Sequence, residues 1–67
     1  MATLKVIEVL SSSKKSWEDA TENAVIEASK SVKNISSVYV QDMSATVKDG
    51  KVDEYRVNIK LTFKLER

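Results

Sequence analysis

The sequence predicts an α+β fold of order β-α-β-β, with a three-stranded antiparallel sheet of order 1-3-2 wrapped around one helix. Three observations predict it. From Val52 to Arg67 apolar and polar residues alternate almost without fault, with Tyr55, Val57, Ile59, Leu61, Phe63 and Leu65 on one side. A period of two marks a strand with one dry face. Trp17, Ala20, Ala24, Ala28 and Val32, with Val25 beside them, recur at three and four residues, which is one stripe of a helix. Asp49-Gly50, holding the only glycine of the chain, stands between two alternating runs. Asp-Gly in that setting is the strongest short-range hairpin signal.

The elements follow in order. Thr3 to Leu10 reads as the first strand, with Leu4, Val6, Ile7, Val9 and Leu10 apolar on both faces. Ser11, Ser12 and Ser13 then break the pattern. A helix starts near Ser16, whose spacing to Asp19 is that of a capping box. Glu18, Asp19 and Glu22 fall in the first turns, where the helix dipole favours carboxylates. Lys30 and Lys33 are expected in the last turns, and Asn34 is expected to close the helix in a left-handed conformation. From Ser37 to Val47 the period returns to two, with Tyr39, Gln41, Met43, Ala45 and Val47 on one face and Val38, Val40, Asp42, Ser44 and Thr46 on the other. The last strand is roughly twice the usual strand length. A right-handed crossover leaves a gap between the first two strands, and the long last strand fills it as the centre of the sheet.

Residues 1–67 make a single domain. A chain this short buries only about 60% of its extended surface. Small domains therefore add disulfides, a metal or partners. Cysteine and histidine are both absent, which excludes disulfides and removes the usual ligands of zinc, copper and haem. Self-association is the staple that remains, and any metal would be a hard cation held by oxygen. Two open sheet edges without proline point the same way.

The net charge is +1, without a basic patch, so nucleic acid is not an expected partner. No apolar stretch approaches the length of a membrane span. The N-terminal stretch has no apolar h-region or processing site, so the expected compartment is the cytoplasm. Without histidine, cysteine or a nucleophile beside an evident base, an enzyme is not expected.

Lys5-Val6-Ile7-Glu8, the serines at Ser11 to Ser13, Ser16-Trp17-Glu18-Asp19-Ala20 and the run from Asp53-Glu54-Tyr55-Arg56-Val57 to Phe63-Lys64-Leu65 resemble the dodecins in kind and spacing. The resemblance spans Thr3 to Glu66. It implies a homododecamer of cubic symmetry forming a hollow sphere. It also implies that flavins, riboflavin or FMN, are bound in pairs at subunit contacts, for storage or buffering rather than catalysis. The family's flavin positions fall on Ser37, in place of a stacking tryptophan, and on Arg56, in place of a glutamine. Serine has no π-face, and a stacking aromatic is worth about 1–3 kcal/mol on a nucleobase. Arginine only donates hydrogen bonds, whereas glutamine also accepts.

The loss of both contacts, together with Trp17 and Gln41-Asp42-Met43, is similar to a second dodecin subgroup associated with calcium. That likeness implies calcium or another divalent cation, with Asp42, Glu18 and Glu22 as candidate ligands and Glu8 and Glu54 behind them. Calcium takes six to eight oxygens, so single carboxylates would have to converge from neighbouring subunits. The polar side of the last strand is an expected subunit contact, where Arg56, Lys60 and Lys64 meet Glu54 and Glu66 of other copies.

Overall fold

The computed structural model describes residues 3–65. It contains β1 (Leu4–Ser13), α1 (Trp17–Ser29), β2 (Ile35–Lys48) and β3 (Lys51–Lys64). The sheet order is β1-β3-β2, with both pairings antiparallel. This is the expected topology, with β3 at the centre.

The core is small because only one face of the sheet is covered. Val57, Ile59 and Leu61 of β3 pack on Ala20 and Ala24 of α1, and these five are the buried apolar residues among those described. Two alanines on the helix stripe bring its backbone close to the sheet. Ile7, Val9, Trp17, Val25, Ala28 and Ile35 ring this centre. Tyr55 and Phe63 extend it along β3, but Leu65 lies past the strand and is 48% exposed. The expected continuation through Glu66 and Arg67 falls outside the described residues.

The serine run does not end β1. Ser11, Ser12 and Ser13 pair with Val57, Arg56 and Tyr55. Hydroxyls on the helix side of the strand hold the start of α1. Ser11 Oγ donates to the Ala20 carbonyl at 2.9 Å. Ser13 Oγ donates to Asp19 Oδ2 at 2.6 Å and accepts from the Lys15 N–H at 2.9 Å. Small polar residues suit this place because the helix backbone sits too near for a large side chain.

Ser16 caps α1, its Oγ accepting from the Asp19 N–H at 3.0 Å. Only this half of the capping box forms. The Asp19 carboxylate turns instead to Ser13 and to Asn23 Nδ2, the latter at 3.2 Å. The helix stops at Ser29, earlier than expected, and its last turn holds no basic residue. Lys30 is the C-cap, so Lys30 and Lys33 lie past the turn they were expected to neutralise. Asn34 does adopt φ 66°, but it turns the chain into β2 rather than closing the helix.

Strict alternation fails in β2. Register shifts between Ile35 and Ser37, Val40 and Asp42, and Thr46 and Val47 leave Ser36 and Gln41 without a partner on β3. Each extra residue flips the sides of those that follow. Val38 and Val40 consequently lie opposite Leu61 and Ile59, on the same side as Met43 and Ala45 opposite Val57 and Tyr55. Tyr39, Asp42, Ser44 and Thr46 take the other side. The two-face division read from the sequence is thus corrected at Gln41. The hairpin is as expected: Lys48 pairs with Lys51 across Asp49 and Gly50, at φ 52° and 75°, the signature of a two-residue type I′ turn.

Candidate functional site

Two surfaces gather the residues singled out in the sequence. The first is the sheet face turned away from α1. Because Val57, Ile59 and Leu61 face the helix, Arg56, Asn58, Lys60, Thr62 and Lys64 face outward. The register sets their neighbours. Arg56 lies between Ser12 and Ser44, Asn58 between Leu10 and Asp42, Lys60 between Glu8 and Tyr39, and Thr62 between Val6 and Ser37. The centre of this face is polar and cationic, and its β1 border is apolar, with Leu4, Val6 and Leu10 more than half exposed.

Asn58 stands out on this surface. Its Oδ1 is shielded from solvent yet has no hydrogen-bond partner. Leaving a buried acceptor unpaired costs about 1–3 kcal/mol. Its neighbours along the strand, Arg56 and Lys60, are exposed and make no ion pair among the described residues. Nothing in the alternation of β3 distinguishes Asn58 from the other outward polar residues, so it carries no signal in the sequence.

Ser37 and Arg56 share this face without meeting. Ser37 is opposite Thr62, so the two are separated by the stretch of β3 from Arg56 to Thr62. At about 3.3 Å per residue this is roughly 20 Å. Asp42 is exposed and adjoins Asn58.

The second surface is the gap between α1 and the edge strand β2. Trp17, Glu18, Thr21, Val40, Gln41 and Met43 line an open cleft of about 450 Å³. Trp17 fixes its wall. The indole N–H donates to the Ser44 carbonyl at 2.8 Å, and the ring meets Tyr55 edge-on with centroids 4.9 Å apart. The bulge at Gln41 places that residue on the cleft and aligns Met43 with the helix side. The periodicity of α1 put Trp17 on the core stripe but carried no sign of its bond to β2.

Glu18 borders this cleft and Glu22 lies one turn further along α1, both exposed. Asp42 points to the opposite side of the sheet. Among the described residues no group of three or more acidic side chains is placed to hold a metal ion. One protomer therefore does not bring Asp42, Glu18 and Glu22 together, and by itself lacks the oxygen set that calcium needs.

Comparison with known proteins agrees with the topology. The family model for dodecin matches residues 3–66. The chain belongs to the dodecin family. Among solved structures it is similar to dodecin from Streptomyces coelicolor, at 32% identity and a TM-score of 0.94, over 98% of this chain and 94% of that one. It is similar to the calcium dodecin of Mycobacterium tuberculosis, a calcium-chelating antigen, at 34% identity and a TM-score of 0.84, over 96% and 91% of the two chains. A variant of dodecin from Thermus thermophilus matches at 25% identity and a TM-score of 0.94, over the full length of both. No curated protein sequence matches. These solved structures share with this chain the backbone that carries its central β3 and single helix. No helix among the described residues is long and apolar enough to cross a membrane.

Proposed function

We propose that this dodecin works as a self-assembled hollow shell of about twelve copies that holds a small ligand without transforming it. Asn58 carries the reading. A shielded acceptor at the middle of the outward sheet face, between two unpaired cations and beside exposed Leu10, is left without a partner by its own protomer. Membership of the dodecin family supports the same conclusion, since its members are homo-oligomeric ligand binders.

The ligand contacts of a flavin dodecin would fall on Ser37 and Arg56. Their separation within a protomer means that a ligand touching both would bridge two copies. Ser37 offers no ring to stack on, and Arg56 no acceptor. Paired flavin binding is accordingly expected to be weak. Titration of riboflavin fluorescence with protein tests this: quenching that saturates at micromolar protein would restore the flavin reading.

The second reading is a shell stabilised by calcium. It is favoured by the similarity to the Mycobacterium tuberculosis calcium dodecin. Asp42, Glu18 and Glu22 are the proposed ligands, each contributed singly by symmetry-related copies. The residues of one protomer do not fit a calcium site, so the cation would bind only after assembly. A chelator should then lower the melting temperature and added calcium restore it. Identical melting with and without chelator would remove this reading. The proposed compartment is the cytoplasm.

A further inference from the structure

β1 ends where Ser13 meets Tyr55, while β2 and β3 run on together from Thr46 and Glu54 to the turn. This stretch is a two-stranded ribbon, and such ribbons are marginal in water without cover. It lengthens a molecule of 51 × 20 × 13 Å. Val47 and Val52 face each other near its end and are 69% and 54% exposed. Beyond them Lys48 stands directly opposite Lys51. Like charges in that relation destabilise a strand pair, and neither lysine has an ion-pair partner among the described residues. The tip lacks apolar cover, and its two lysines form no ion pair even with Asp49 in the turn between them.

Another part of the surface offers apolar cover and carboxylates. Glu18, Glu22 and Ile26 follow at four-residue spacing along α1 and are exposed, Ile26 by 51%. Neither glutamate is paired among the described residues. Beside Glu18 lies the cleft lined by Trp17, Val40 and Met43, with Met43 61% exposed.

We infer that the β2–β3 hairpin tip of one copy seats on the Trp17–Met43 cleft of a second copy. The tip enters between α1 and β2, so that Val47 and Val52 lie on the ribbon face toward Val40 and Met43, while Lys48 and Lys51, on the opposite face, turn toward Glu18 and Glu22 of α1. The inference rests on the self-assembly proposed above and names the surfaces that carry it. Tip and cleft are different patches, so the contact is head-to-tail. Contacts of this type close into rings or extend into filaments, and a closed shell needs the ring.

Charge reversal tests it. Lys48→Glu with Lys51→Glu, and separately Glu18→Lys with Glu22→Lys, should each weaken assembly at least tenfold, read as the protein concentration at which the solution mass falls. All four reversals together should restore the wild-type mass. Two one-sided losses that the combined variant does not repair would overturn the pairing and assign the lysines and glutamates to different partners, such as an acidic protein or a cation. Unchanged mass in the one-sided variants would overturn this contact and leave the shell standing, whereas a monomeric wild type would defeat the shell itself.

Lysine in the first helical turn opposes the helix dipole, so a crosslink gives a second reading. The chain has no cysteine of its own. Lys51→Cys and Glu22→Cys chains expressed together should give a disulfide dimer on a non-reducing gel that neither gives alone. A mixture without that band would overturn the contact.

Discussion

At the scale of the residue, the side chains hardest to place from sequence are those that reach beyond their own element. Trp17 belongs to α1 by periodicity, yet its indole bonds to β2 and its ring meets β3. Trp17→Phe keeps the ring contact and deletes the N–H, leaving the Ser44 carbonyl to solvent. A loss of about 1 kcal/mol is expected in urea unfolding; an unchanged midpoint would show that the bond adds nothing. Gly50 tests the turn in isolation. At φ 75° a side chain is strained, although an added Cβ would meet no atom within 4 Å. Gly50→Ala should therefore cost about 1–2 kcal/mol through the backbone alone. Residue types were legible in the sequence where the backbone demanded them, as at Asp49-Gly50 and Ser16. They were not legible where a hydroxyl serves a distant element. Ser11 and Ser13 read as a strand terminator because their bonds to Ala20 and Asp19 depend on where the helix returns.

At the scale of the element, β3 was the most legible part of the chain and β2 the least. β3 lies between two partners and packs on one helix, so its pattern is simple. β2 is an edge strand, and its bulges at Ser36 and Gln41 are set by cross-strand register that alternation cannot anticipate. Ser36 Oγ donates to the Thr62 carbonyl at 3.2 Å. The end of α1 was misplaced because the apolar stripe continues to Val32, whose N–H still bonds the Ala28 carbonyl at 2.8 Å after the helix proper has stopped. The helix-to-sheet contact has a clear centre in Ile59, which is fully buried. Ile59→Ala should cost about 2–5 kcal/mol. In a domain of this size each kcal/mol lowers the melting temperature by about 4–8 °C. A shift under that range would mean that α1 is held mainly by its serine bonds rather than by packing.

At the scale of the whole molecule, one protomer leaves many large apolar side chains uncovered. Only five apolar residues are buried among those described, while Leu4, Val6, Leu10, Tyr39, Met43, Val47 and Val52 are more than half exposed. The expectation of partners comes from the length of β3 and the absence of cysteine and histidine. Where partners attach was not legible, because the bulges decide which side chains reach each surface. The same separation explains the candidate ligand positions: Ser37 and Arg56, and likewise Asp42 and the α1 glutamates, can converge only between copies. If the proposed shell holds a ligand at these positions, dissociating it should abolish calcium or flavin binding together with its effect on melting. Sedimentation equilibrium of the purified protein at micromolar concentration decides whether the chain completes itself in company. A mass of about twelve 7.5 kDa chains is expected, and a stable 7.5 kDa monomer would contradict it.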